Sequence, residues 1–424
     1  MSGALVFVSY LMFLGGIILP HKMQTVLIEL GMNKWQVGPI AFLCLMGLAF
    51  LSLPLLNKKK FLPSDFFIVF QFLALLTPMA ALCSVSNYIG EENVLLALAV
   101  LVLPTFVLFA VRKINLKFPR YPLIGNQSVL CFFIVFLACV FFWTQRHSPP
   151  SAGFGLTDSY IRRLEGRELF VSRSLIAYLI SMGTNLIAPF LGFLAGFKKN
   201  MFLFVLSFLV AVYFYWLLGI KATFLYSFAS FGVGFLVSRK QIINLPRLVM
   251  MFVFFLSVVF LIEWRLNGYS YVADYFFRRV FSATVKTQGD YIDMIFHHPP
   301  EGWNFLFGLS KTKFSVTYFI GEHYDRNPLA NSNTNAFLVA FGQGGLMGYL
   351  GAVIVIPFLF LLLDMIYQSN KNPVGLFIGF MFAVLILEQA YTTALLSSGI
   401  GFMILIFFFM KPDPVTLCRF EDAR

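Results

Sequence analysis

From Ala336 to Leu363 the chain reads AFLVAFGQGGLMGYLGAVIVIPFLFLLL, 28 residues without one charged side chain. A helix rises 1.5 Å per residue and the hydrocarbon core of a bilayer is about 30 Å thick, so about 20 such residues are enough to cross it. A helix on the surface of a soluble protein would show a polar face every three to four residues. This run has none and predicts a membrane-spanning helix.

Working outward from it, comparable runs recur along all 424 residues, of which 59% are hydrophobic and 12% charged. Soluble domains carry about 25% charged residues. The alternating ten-residue pattern of an outer-membrane barrel is missing. Only helices then satisfy the backbone in lipid. The expectation is an all-α polytopic transmembrane bundle, one integral membrane domain over 1–424. Twelve spans are read, each end to within about three residues: 4–20, 38–56, 66–86, 93–111, 129–144, 175–197, 201–218, 222–238, 248–263, 336–363, 374–391 and 395–410. The first lacks a basic stretch before it and is read as a retained helix rather than a cleaved signal.

The net charge of +12 does not call for nucleic acid. Short loops on the cytoplasmic side of membrane proteins are rich in Lys and Arg. Six basic segments (57–60, 112–120, 197–200, 239–247, the turn with Lys371 and the tail from Lys411) fall on one side of the twelve-span scheme, with both termini, and hold 16 of the 31 Lys and Arg. That side is assigned as cytoplasmic. Of the other fifteen, twelve sit in two outward loops, 145–174 and 264–335. Topology rules oppose positive charge there, so it needs another reason. The five cysteines show no metal or disulfide spacing.

Each charged loop carries an amphipathic pattern. In SYIRRLEGRELFVSRS, Ile161, Leu164 and Leu169 lean one way, while Arg163 and Arg167, four apart, share a face. In ADYFFRRVFSATVKTQGD (273–290), Val272, Phe276 and Val280 form an apolar stripe, and Asp274, Arg278 and Ser282 a polar one. Both read as helices lying flat at the outer interface. Arginine's planar fork suits phosphate oxygens. A ligand with a lipid tail and phosphates at that depth is a polyprenyl-diphosphate glycan, with Tyr275 and neighbouring aromatics to take sugar and lipid. The alternative is that these arginines pair with Glu165, Glu168, Asp274 and Asp290 and touch lipid headgroups.

Sugar transfer needs a proton acceptor and positive charge to stabilise the departing diphosphate. Acceptor candidates in the large loop are Asp290, Asp293, His297, His298, Glu322, His323 and Asp325. No Asp-x-Asp occurs, and arginines can replace a metal ion, so no metal and no cofactor is expected. In NSNTNAFLVAFGQGGLMGYLG (331–351), Asn333 and Asn335 are read as sugar or phosphate ligands or as a helix cap. Gly342, Gly344, Gly345 and Gly348 are read as a close-packing face. Glu388 lies within or at the outer end of the eleventh span, where an acid is functional by default, or else braces a buried arginine or hydrogen-bonds neighbouring helices.

The pattern resembles the O-antigen polymerases, the Wzy family, in its two arginine-bearing loops, in the Arg-x10-Gly formed by Arg278 and Gly289, and in the segments YIRRLEGRELF, YSYVADYFFRRVF and LEQAYTTALLSSG. It is also similar to the related O-antigen ligases around Thr334-Asn335-Ala336-Phe337-Leu338 and Gly345-Leu346-Met347-Gly348. The ligase histidine, however, is Thr334 here, and loop 145–174 has no Arg-x10-Gly. The resemblance implies a GT-C-like bundle in the bacterial inner membrane, with its site facing the periplasm. It implies an inverting, metal-independent glycosyltransferase that moves a growing chain from undecaprenyl diphosphate onto a new lipid-linked repeat unit. A chain-length regulator is an implied partner. Arg278 would be the main diphosphate contact, with Arg279, Arg163 and Arg167 in support. Glu322 and His323, then Glu168 and Asp290, would be the proton acceptors. The rivals are a ligase using lipid A-core and a lipid-linked glycan flippase.

Overall fold

The computed structural model describes residues 60–76, 91–114, 122–146, 149, 151–155, 159–170, 175–268, 270–272, 283–299, 315–328 and 330–412. These residues are almost entirely helical and include no strand, only an isolated bridge between Ile124 and Met410. The expected spans 4–20 and 38–56 lie outside them.

Five helices are long and apolar enough to cross a membrane: α3 (Asn126–Gln145), α5 (Leu175–Lys198), α6 (Met201–Leu218), α8 (Ile242–Asn267) and α11 (Ala336–Asn370). Shorter apolar helices are α1 (Pro63–Phe70, prolonged by a π-helical turn Gln71–Leu76), α2 (Glu91–Val111), α7 (Ala222–Ser238) and α12 (Val374–Glu388). The charged loops contribute α4 (Ser159–Leu169), α9 (Ala283–Phe296) and α10 (Val316–His323). After α12 come α13 (Tyr391–Leu395) and α14 (Ile400–Phe408).

Local chemistry sets these ends. The Asn200 side chain accepts from the Phe202 and Leu203 amides at 2.9 and 3.4 Å and so starts α6. Gly219 ends it in the left-handed region at φ 64°. Such caps satisfy backbone groups that a helix end leaves open. Within α2, Pro104 has no N–H to give to the Val100 carbonyl one turn back. Tyr349 of α11 supplies the missing donor, its hydroxyl lying 2.7 Å from that oxygen. The sequence defect is thereby repaired by a tertiary contact, as backbone in lipid requires.

Lipid tails are as apolar as leucine, so shape, more than hydrophobicity, holds such helices together. α5 and α7 show the closest approach. A Cβ added at Gly192 would lie 2.5 Å from the Ser227 carbonyl, one at Gly196 2.1 Å from that of Phe231, and one at Gly234 2.1 Å from that of Phe193. The Gly-x-x-x-Gly at 192–196 thus brings the two backbones together.

At one end of the bundle polar groups tie the helices. Arg112, just after α2, donates to Asp65 of α1 at 2.5 Å and to the Ser64 hydroxyl. Asp364 of α11 accepts from the Ser64 amide at 2.9 Å. Asn372 donates to Asn126 and to the Lys411 carbonyl, both at 2.9 Å, joining the starts of α12 and α3 to the stretch after α14. These groups belong to the side assigned as cytoplasmic from sequence.

Span 374–391 agrees with α12 at its start and ends three residues early, at Glu388, because Gln389 is extended (φ −154°, ψ 166°). Two expectations are corrected. Span 395–410 is not one helix: the chain breaks at Gly399 (φ 79°) between α13 and α14. The glycine run in α11 is only partly a packing face. Gly342 does pack, since a Cβ there would meet Val316 at 2.6 Å. Gly344 and Gly345 instead break the helix, Gly345 at φ 58°, ψ −154°.

Candidate functional site

α12 starts at the tied end and finishes at the other with Glu388. The hydroxyl of Tyr226, one turn into α7, donates to Glu388 Oε2 at 2.7 Å. α6 therefore ends at this same far end, through the short connection Gly219–Lys221. There α4 is seated on it: a Cβ on Gly166 would collide with Leu218, and one on Gly219 would lie 2.5 Å from the Ser159 carbonyl. α8 follows α7 through the short turn at 239–241, runs back and so ends at this end, where loop 264–335 leaves; the start of α11, by contrast, folds back at Gly344–Gly345, since a Cβ on Gly348 would lie 2.4 Å from the Ala340 carbonyl and Phe67 meets both Phe337 and Phe360. Both charged loops thus emerge at one end of the bundle, opposite the Arg112 cluster.

In the first loop the enclosed arginine is Arg162, only 1% exposed. Its Nη2 donates to the Gly155 carbonyl at 2.8 Å, and its guanidinium lies 5.3 Å from the centre of the Tyr215 ring. Glu165 accepts from the Ser151 amide at 3.0 Å and from the Ser151 hydroxyl. Arg162, Gly166 and Phe170 are turned inward and buried, while Ile161 and Leu169 lie on the exposed side. Arg163 and Glu168 are exposed. The Arg167 side chain lies outside the described residues. Four-residue spacing put Arg163 and Arg167 together, but tertiary packing selects the intervening turn.

In the second loop Tyr275, Arg278 and Arg279 lie outside the described residues. α9, with Gly289 buried, packs on α11 and α2. Asp290 is buried and held by Lys286 at 2.7 Å; the same ammonium reaches Asp325 at 2.8 Å. Asp325 also accepts from the Ser332 hydroxyl, and Tyr291 donates to the Ser332 carbonyl at 3.2 Å. Burial alone would lower the pKa of Lys286; the two carboxylates outweigh it and raise it. Burial, then Asp293, pushes the Tyr324 hydroxyl up, so it stays a donor to Asp293, at 2.9 Å. This network clamps the 324–335 segment against α9.

The clamp fixes the start of α11. Asn335 is completely buried, and its Oδ1 accepts from the Phe337 and Leu338 amides at 3.2 and 3.1 Å. Among the described residues its Nδ2 has no partner. Asn333 is exposed two residues earlier. Glu322 and His323 are exposed at the end of α10, and the His323 ring stacks on Phe319 with centroids 4.0 Å apart. Lys286, Asp325 and Ser332 thus link Asp290 to the segment that carries Asn333 and Asn335, while Glu322 and His323 lie exposed at the end of α10 and Arg163 and Glu168 lie on α4, seated on a different helix.

A polar group that the sequence reading did not assemble lies where helices break. Asn185 occupies the π-helical turn Gly183–Ile187 of α5, just before Pro189. Asn185 and Gln389 both donate to the Ser398 hydroxyl, at 3.1 and 3.0 Å. Beside them, Glu388 is paired with Tyr226, and no ion pair reaches it among the described residues. The signals were present in sequence as a polar Gly-Thr-Asn before Pro189 and as Glu-Gln and Ser-Ser-Gly inside otherwise apolar runs.

No family model, curated protein or solved structure matches this chain.

Proposed function

We propose that the chain is an O-antigen polymerase, a glycosyltransferase that joins undecaprenyl-diphosphate-linked repeat units. The observation that carries this reading is the convergence of two arginine-bearing loops at one end of an apolar bundle, against the usual charge bias. It is supported by the resemblance of the YIRRLEGRELF, YSYVADYFFRRVF and LEQAYTTALLSSG segments to polymerase sequences. Two equivalent substrates with lipid diphosphates must be held together, which gives a reason for two such loops.

In this reading the site faces the periplasm of an inner membrane, and both termini are cytoplasmic. Arg278, aided by Arg279, Arg163 and Arg167, holds the diphosphate and stabilises the charge that develops as it leaves. Arginine charge does this work without a metal ion. Asn333 and Asn335 meet the sugar at the start of α11. The growing chain moves to the terminal sugar of the incoming unit, with inversion, and undecaprenyl diphosphate is released.

The test is complementation of a polymerase-null strain. Arg278→Ala leaves surface glycan one repeat unit long at normal protein level; long-chain glycan in that variant defeats the assignment. Arg278→Lys restores chain growth in part, because the bidentate fork is lost. A deletion strain with no glycan at all on its lipid A-core would instead identify a ligase.

A further inference from the structure

We infer that Glu388 is the group that takes the proton from the acceptor sugar's hydroxyl, in a recess formed by α5, α7 and the broken stretch after α12; the inference rests on the polymerase reading. Three independent features meet there. α12 ends at Glu388, the next residues are extended, and Gly399 turns the chain in the left-handed region before α14. Facing this break, α5 has its π-helical turn at Asn185. Irregular backbone and polar side chains at membrane depth are tolerated where they line a cavity, and π-turns cluster at functional sites.

The carboxylate has the exposure such a role needs. Its side chain is exposed at the surface of the described residues rather than packed away inside the bundle. Tyr226 donates to Oε2 at 2.7 Å and orients the group. Among the described residues nothing bonds Oε1, and no Lys or Arg neutralises the pair. Asn185, Gln389 and Ser398 beside it are neutral donors and acceptors, which suit hydroxyls rather than phosphate.

In the transfer step Glu388 Oε1 takes the acceptor hydroxyl's proton. The hydroxyl oxygen bonds to the donor's anomeric carbon. The bond from that carbon to the diphosphate oxygen breaks, and its electron pair leaves with undecaprenyl diphosphate. Asp290, by contrast, is buried and held by Lys286.

The assay uses the purified full chain in detergent with undecaprenyl-diphosphate-linked units extracted from a polymerase-null strain. Glu388→Ala lowers kcat by about 100-fold or more, keeps donor binding, and regains turnover with added formate. Tyr226→Phe lowers kcat with little change in KM, and this second variant carries the test if Glu388→Ala does not fold. Glu388→Ala within threefold of wild type, a folded Glu388→Ala that formate does not rescue, or a Tyr226→Phe defect confined to KM overturns the inference while the polymerase reading stands. A wild-type protein that builds no polymer from these units removes both.

Discussion

Lys286 and Asp290 stand one helical turn apart on α9 with 2.7 Å between ammonium and carboxylate, and the same ammonium reaches Asp325 at 2.8 Å. Asp290 is almost fully enclosed, so removing its cation leaves a buried charge without compensation. Lys286→Met should cost about 3–5 kcal/mol, and Lys286→Met with Asp290→Asn should recover most of it. Thermal unfolding in detergent measures both. The pH dependence has a definite sign. The folded pKa of Lys286 is raised above its ordinary 10.5, so its contribution is complete below that value and is lost as pH rises through the folded pKa. Wild-type stability should fall above pH 10.5 more steeply than that of Lys286→Met.

The α5–α7 contact makes a second prediction. At Gly196 and Gly234 an added Cβ would lie 2.1 Å from a backbone carbonyl, whereas at Gly232, on the same helix as Gly234, nothing lies within 4 Å. A carbonyl cannot turn aside as a side chain can. Gly196→Ala and Gly234→Ala should therefore push the helices apart at about 1–3 kcal/mol each. Gly232→Ala should leave the unfolding midpoint unchanged or slightly higher. Equal effects at all three would mean that the helices do not meet in this way.

Charge-free runs were readable because lipid imposes one simple rule on length and polarity. The expected span 222–238 coincides with α7, and 201–218 with α6. Where an apolar run is interrupted inside, that rule is silent: Gly399 looks like any span glycine until its backbone is seen at φ 79°. Arg162 has no distinguishing signal in sequence for a related reason. Helical spacing says which arginines share a face, but only the position of Tyr215 on α6 says which face is turned inward. Glu388 stands out in sequence by its cost in lipid, whereas its partner Tyr226, 162 positions away, carries no local signal.

Gly345 separates conformational need from packing. Its φ of 58° with ψ −154° belongs to glycine, so Gly345→Ala is strained by about 1–3 kcal/mol and should straighten or destabilise α11. Gly351, one helical stretch further on, has nothing within 4 Å of a built Cβ. Gly351→Ala should be neutral or stabilise by up to about 1 kcal/mol through helix propensity. Comparison of the two midpoints, with chain-length profiles of the surface glycan, shows whether the break in α11 serves activity as well as shape.

Asn335 allows capping and ligand binding to be told apart within one side chain. Its Oδ1 holds the first amides of α11, while its buried Nδ2 has no partner among the described residues. Asn335→Ala removes both atoms and should cost about 1 kcal/mol from the lost cap, in addition to any effect on activity. Asn335→Ser keeps a capping oxygen and loses the amide donor. If Nδ2 serves a sugar or diphosphate oxygen, Asn335→Ser should fold with a near-normal unfolding midpoint and yet show a raised KM for lipid-linked units. A serine variant with normal KM and an alanine variant whose loss tracks only stability would make Asn335 a cap alone. Asn333, exposed and outside the helix, then becomes the remaining asparagine at the start of α11, and Asn333→Ala should change KM without moving the unfolding midpoint.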